Sequence, residues 1–149
     1  MDDPIYFYTK TDEWFELSNF YPQGFTEDGV YWPSVEHYFQ AQKFPGEENA
    51  DYRERIRQCR TPQQAKTLGR TQHIAIRADW EACKEDVMAH ALLQKFRHPK
   101  LRELLLSTGH RPLVEKSPFD LYWGSGKHGE GRNRLGELLG RVRETLRNV

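Results

Sequence analysis

The chain has 149 residues, 37% hydrophobic and 30% charged, which suits one domain whose single core draws heavily on its 4 Trp, 7 Tyr and 8 Phe. Lys plus Arg and Asp plus Glu both number 22, so the formal net charge is zero and no global field draws polyanions in; wholesale nucleic-acid binding is not the first expectation, although a local basic patch is compatible with it. Cys59 and Cys83 are too few and too far apart for a disulfide framework, and an acidic start with no apolar stretch predicts neither secretion nor a membrane span, so a cytoplasmic protein with reduced thiols is expected.

From the N-terminus, Ile5 to Thr9 packs β-formers into an alternating pattern and reads as a short strand. Gly24 to Glu27 and Val30 to Trp32 flank Asp28-Gly29, a dipeptide that tolerates the positive φ angles of a two-residue turn, which predicts a hairpin. Ser34 stands where an N-cap belongs, ahead of a helix predicted to reach about Phe44, where Pro45-Gly46 stops it. A second helix is predicted from Glu48 to Cys59. Thr61-Pro62-Gln63-Gln64 then reads as the N-cap, first-turn proline and capping-box glutamine of a third, ending near Gly69. Asp79 is predicted to cap a longer helix from Trp80 to about Phe96, with Val87, Met88, Ala91 and Leu92 on its apolar stripe. Pro99 to Ser107 reads as a short helix, Pro112 to Glu115 as a brief strand, Tyr122 to Gly131 as a glycine-rich loop and Arg134 to Arg147 as the closing helix. With no repeat and no linker, the simplest architecture is α+β: a single helix-rich domain, residues 1–149, with a small antiparallel sheet.

Glu36, Gln40 and Lys43 recur at i, i+4 and i+7 and so share a helix face, apart from Val35, Tyr38 and Phe39. An acceptor, an amide and an ammonium together suit a sugar with its hydroxyls and an attacking water; a solvated Glu-to-Lys pair fits the same spacing. His37 reads as a hydrogen-bonded structural residue. Gly124, Gly126, Gly129 and Gly131 would let backbone amides approach a phosphate, with Lys127 and Arg132 as charge partners; the P-loop and dinucleotide-binding patterns are absent, and a mobile surface segment fits equally. Asn133 reads as a cap for the last helix. Asp120 and Trp123 offer an acid and a flat ring to flank a ribosyl group, or else an acid bonding loop amides and a ring filling the core. Trp80 carries the same two readings. The six histidines are scattered, so no metal site is expected, and nothing resembles a serine or cysteine nucleophile motif.

Taken together, Ser18-Asn19-Phe20, the run Trp32 to Phe44 containing E-H-Y-F-Q-A-Q-K-F, Leu68-Gly69-Arg70, Trp80-Glu81 with Lys84, Val87-Met88, Lys95-Phe96, Leu113-Val114-Glu115, Asp120, Trp123 to Gly126 and Gly129 to Gly136 resemble the NADAR (YbiA-like) family in order and over nearly the whole chain. The resemblance implies an N-glycosidase of YbiA-like fold, needing no cofactor, that cuts a ribose C1–N bond in one or both of two substrates: a phosphoribosylamino pyrimidine of riboflavin biosynthesis, and ADP-ribose attached to guanine, including guanine in DNA. It makes Glu36, Lys43 and Asp120 the expected catalytic residues. Glu36 would stabilise the developing oxocarbenium charge and activate water, Asp120 would serve the ribose hydroxyls or the leaving amine, and Lys43 would assist electrostatically; in a covalent alternative an amine forms a Schiff base with the ring-opened C1. Ser18 and Asn19 are expected to hydrogen-bond the substrate, Phe20 and Trp123 to stack on it, and Arg70 or Lys127 to meet its phosphate, with Gln40, Trp80, Gly124, Gly126 and Asn133 completing the expected binding set. For a DNA substrate, Arg53, Arg55, Arg57 and Arg60 offer a basic rim, although such a helix face is also simply solvated. No membrane and no obligate protein partner are expected. A module that binds nucleotide without cleaving it is the alternative, separated from the enzyme by turnover.

Overall fold

The computed structural model describes residues 3–149. Strand β1 (Ile5–Phe7) buries Ile5 and Phe7 and turns Tyr6 outward. It stops two residues short of Thr9 because the Asp12 carboxylate takes the amides of Tyr8 and Thr9, each at 2.7 Å, and bends the chain. The hairpin forms as the sequence predicts, with β2 (Phe25–Glu27) antiparallel to β3 (Val30–Trp32). Asp28 and Gly29 at its tip have φ of 50° and 79°, the paired positive values that a tight turn of matching twist requires. Its inner pair, Phe25 opposite Trp32, closes on Tyr38 with ring centroids 5.2 and 5.5 Å apart.

Helix α1 (Val35–Ala41) starts at Ser34, whose hydroxyl accepts the His37 amide at 3.2 Å and meets His37 Nδ1 at 2.7 Å. His37 Nε2 lies 2.9 Å from the Cys59 carbonyl, so this histidine is structural, as expected. The helix ends three residues before Phe44: the amides of Lys43 and Phe44 bond back to the carbonyls of Gln40 and Ala41, tightening the chain ahead of Pro45. All its residues are buried, because it packs against three neighbours, α2 (Ala50–Arg57), α3 (Pro62–Gly69) and α4 (Trp80–Lys95). A short 3₁₀ turn, Glu47–Asn49, takes up the start of the second predicted helix.

Thr61 caps α3 by accepting the Gln64 amide at 3.1 Å, while the Gln64 carboxamide accepts from Arg60 rather than from Thr61. A Cβ at Gly69 would stand 2.0 Å from Gln40 Oε1, so this glycine is what lets α3 approach α1. Asp79 does not cap α4; its carboxylate grips the Arg77 guanidinium at 2.6 and 3.0 Å instead. Met88, Ala91 and Leu92 of the expected stripe are buried, and Val87 packs at its edge. Helices α5 (Pro99–Ser107) and α6 (Arg134–Arg147) have the bounds read from sequence, and α6 buries Leu135, Leu138, Leu139, Val142 and Leu146 along one stripe.

Strand β4 (Leu113–Glu115) pairs in parallel with β1, placing Ile5 opposite Leu113 and Phe7 opposite Glu115. A parallel pair needs a long crossover, here the hairpin and helices α1 to α5. Asn133 closes the other edge of β4: its Oδ1 accepts the Glu115 amide at 3.0 Å and its Nδ2 donates to the Leu113 carbonyl at 2.9 Å. It sits at φ 50° and makes no side-chain cap on α6, so the capping role expected of it gives way to one in the sheet. The fold is α+β, with six α-helices and two two-stranded sheets among the described residues, the hairpin being antiparallel. No helix among those residues is long and apolar enough to cross a membrane.

Candidate active site

A cleft bounded by α1, α3, the Ser18–Phe20 segment and the loop after β4 holds two adjoining chambers of about 210 and 460 Å³. Phe20, Lys66, Arg70, Glu115 and Asp120 line both. The smaller, inner one is walled by Asn19, Glu36, Phe39, Gln40, Trp80 and Trp123, the outer one by Tyr8, Ser18, Ser117, Phe119, Leu121 and Tyr122.

Glu36 is the most enclosed carboxylate of the cleft, 7% exposed, and accepts Gln40 Nε2 at 2.6 Å. Burial pushes its carboxyl above the usual range, against the Gln40 hydrogen bond and the charges of Lys66 and Lys43. Its own amide donates to the Asn19 carbonyl, tying the start of α1 to the Ser18–Phe20 segment. Lys43 lies just past the helix end, yet its Nζ still reaches inward to the Gly69 carbonyl at 3.2 Å. Burial pulls the Lys43 ammonium below its usual range, with the Glu36 charge opposing and Arg70, Lys66 and Lys84 adding to the fall. The polar face of α1 is therefore a cavity wall, and the exposed ion-pair alternative does not hold.

Ser18 and Asn19 are fixed from behind. The buried Lys95 ammonium donates to the Ser18 carbonyl at 2.8 Å, and burial brings Lys95 down to about 7. Ser18 Oγ accepts the Phe20 amide at 3.1 Å. Asn19 Oδ1 and Gln40 Oε1 are buried with no partner among the described residues, the latter packed against Gly69. Phe39 carries the aromatic wall: its ring centroid lies 5.0 Å from Trp80 and 5.6 Å from Trp123, so both tryptophans pack into the core edge and line the cavity at once.

Both readings of Asp120 also coexist. Its Oδ1 accepts the amides of Tyr122 and Trp123 at 2.9 and 2.8 Å, while the residue borders both chambers. No group of three or more His, Cys, Asp or Glu among the described residues is arranged to hold a metal ion.

The glycine-rich loop has a different part from the one expected. Most of its amides bond internally, Ser125 to the Glu115 carbonyl, Gly126 to Ser117 and Gly131 to Ser125 among them, and just beyond it Arg132 bonds to Leu121 and Asn133 to Gly124. Gly124, Gly126, Lys127 and Asn133 line neither chamber, whereas Ser18, Asn19, Phe20, Glu36, Gln40, Lys43, Arg70, Trp80, Asp120 and Trp123 each line at least one. The cations of the cleft are Lys43, Lys66, Arg70 and Lys84. None of Arg53, Arg55, Arg57 and Arg60 lines it; Arg53 is bound to the carbonyls of Phe44 and Gly46 and Arg57 to Glu54 and the Tyr31 carbonyl.

Sequence reasoning passed over Glu115, Lys66 and Lys84 as site residues. Lys66 gave no signal beyond a helical cation. Glu115, an acid at the end of a three-residue strand, is equally ordinary in sequence. Burial and the charges of Asp120 and Glu36 push its carboxyl up to about 7, and its Oε2 is buried with no partner among the described residues. The outer rim is built on Tyr122, whose ring lies 3.9 Å from Lys84 Nζ and 4.9 Å from the Arg132 guanidinium and whose hydroxyl donates to Glu85. Arg134 holds the same Glu85 at 2.9 Å, and the two hydrogen bonds keep that carboxyl down at about 2.

The family model of the NADAR domain matches residues 6–147. N-glycosidase YbiA of Escherichia coli is 47% identical over 146 residues, covering 97% of this chain and 89% of that protein. The NMR structure of the E. coli protein superposes with a TM-score of 0.88, covering 99% of this chain and 86% of that one. The maize riboflavin biosynthesis protein PYRR, chloroplastic, is 43% identical over 95% of this chain and 25% of its own length.

Proposed function

The chain belongs to the NADAR domain family and is an N-glycosidase, and from that premise we propose that its substrate is a ribosylamine carrying a 5′-phosphate, its C1 bonded to the exocyclic nitrogen of a pyrimidine-like ring. The observation that carries this reading is the pairing of the enclosed Glu36 carboxylate with four cations around one chamber of about 210 Å³. Breaking the C1–N bond builds positive charge on the ribose ring. Glu36 faces that charge across a low-dielectric cavity and orients the attacking water, with Asn19 and Gln40 lining the wall beside it. Phe20 and Trp123 flank the ring, and Lys66 and Arg70, on the wall shared by both chambers, hold the phosphate. Asp120 borders both chambers and takes a ribose hydroxyl.

The name of the maize relative supports an intermediate of riboflavin biosynthesis as this substrate. A second substrate, ADP-ribose on guanine, is favoured by the outer chamber of about 460 Å³, whose Tyr8 and the 86% exposed Phe119 offer flat surfaces to a further ring. A second route is favoured by Lys43, which lines the inner chamber and whose ammonium burial pulls below its usual range, easing the proton loss that must precede capture of the ring-opened C1 as a Schiff base.

Mass spectrometry of products from wild type and Glu36→Gln, given each substrate in turn, tests the reading. The expected result is release of ribose 5-phosphate or ADP-ribose by wild type and its loss in the variant. No release from either substrate overturns the substrate assignment. Borohydride added during turnover separates the routes, leaving the protein mass unchanged for water attack and adding a reduced ribosyl adduct at Lys43 for the Schiff base.

A further inference from the structure

We infer that Glu115 is the acid of this reaction, giving its carboxyl proton to the departing nitrogen. The inference rests on the reading of the cleft as an N-ribosyl hydrolase site. Of the carboxylates there, Glu36 lines only the inner chamber and is gripped by Gln40, and Asp120 has one oxygen occupied by two loop amides. Glu115 borders both chambers, on the wall it shares with Asp120, Lys66 and Arg70, and its Oε2 is buried and unpartnered among the described residues.

Its main chain is held on three sides. β4 lies in register with β1, the Glu115 amide donates to Asn133, and its carbonyl accepts from Ser125. Gly124 leaves the carboxyl its space, since a Cβ there would come within 3.1 Å of Glu115 Oε2 and 3.0 Å of Ser117 Cβ. The otherwise unexplained glycine is thereby assigned to the acid and not to the substrate.

The surrounding charges decide the protonation state. Burial, Asp120 and Glu36 raise the group to about 7 against Lys66 alone, so about half the molecules carry the proton at pH 7, whereas Glu36, also raised by burial, has the Gln40 hydrogen bond, Lys66 and Lys43 favouring its ionised form. A carboxylic acid beside a neutral leaving amine is the arrangement for general-acid catalysis. The step balances: the C1–N bond breaks as the Glu115 proton joins the nitrogen, which leaves as a neutral amine with the bonding pair. Water bonds to C1 and loses its proton to Glu36, and solvent exchange restores both carboxyl groups. One water is consumed.

The test is steady-state kinetics of Glu115→Gln, which keeps the side-chain shape and every main-chain bond, against two substrates. One is a phosphoribosylamino pyrimidine; the other is 5-phosphoribosyl fluoride, whose leaving group needs no proton. The expected result is a fall in kcat of about 10²- to 10⁴-fold on the amine, with turnover of the fluoride kept within about threefold. The alkaline limb of the wild-type kcat/KM profile, near pH 7, disappears in the variant, and Glu115→Asp recovers part of the amine activity. Equal losses on both substrates, or undiminished amine hydrolysis by Glu115→Gln, overturn the assignment of Glu115 alone. Wild type that turns over neither substrate overturns the underlying reading of the cleft and this inference with it.

Discussion

Lys95 is fully buried, and its ammonium has one hydrogen-bond acceptor, the Ser18 carbonyl at 2.8 Å. Glu16 supplies the only favourable charge, and burial takes the group from 10.5 to about 7. Because the folded state binds the proton more weakly than the unfolded chain, stability rises with pH between about 7 and 10.5 and is lost as pH falls through that window. At about 1.4 kcal/mol per unit, the charged form costs about 5 kcal/mol below pH 7. Replacing the lysine removes that cost but forfeits its hydrogen bond to the Ser18 carbonyl, which takes back about 1 to 3 kcal/mol of the gain. Lys95→Met, similar in length and apolar, therefore stabilises the fold by about 2 kcal/mol at pH 6. For a domain of this size that raises Tm by about 6 °C. By pH 9 wild type has recovered about 3 kcal/mol and the advantage disappears. Scanning calorimetry of both proteins at pH 6, 7.5 and 9 reads the difference directly, because background titrations cancel between them. Two parallel pH curves, or a variant less stable at pH 6, would refute the reasoning. The same substitution unhooks the Ser18 carbonyl from behind the cleft, so kcat/KM falls while stability rises.

Gly69→Ala places a methyl 2.0 Å from Gln40 Oε1 and forces α3 off α1; urea unfolding should show a loss of about 1–3 kcal/mol, and an unchanged midpoint would mean the close approach is dispensable. Asn133→Gly keeps the left-handed backbone but strips both hydrogen bonds from the β4 edge, costing about 2 kcal/mol by the same assay; a neutral result would mean that edge does not depend on Asn133.

The sequence by itself determined the local elements. A helix start written as Thr61-Pro62, a turn written as Asp28-Gly29 and a stripe of leucines from Leu135 to Leu146 act through neighbours a few residues away, so their signals are short-range and legible. The i, i+4, i+7 spacing of Glu36, Gln40 and Lys43 announced a shared face but not where it points. Even Asp79, a good cap on paper, was diverted by an arginine two residues away, a competition between local partners that propensity does not rank. Only the tertiary structure decided what faces what. Packing of α1 among α2, α3 and α4 turned an apparent surface ion pair into a cavity wall, because burial on all sides leaves a polar face only the cleft to point into. The parallel pairing of β1 with β4 spans more than a hundred residues, a contact no periodicity encodes, and it is what sets Glu115 beside Asp120 and Glu36. Its buried carboxyl is chemically ordinary in sequence; desolvation and two neighbouring negative charges, all supplied by the fold, make it an acid at neutral pH.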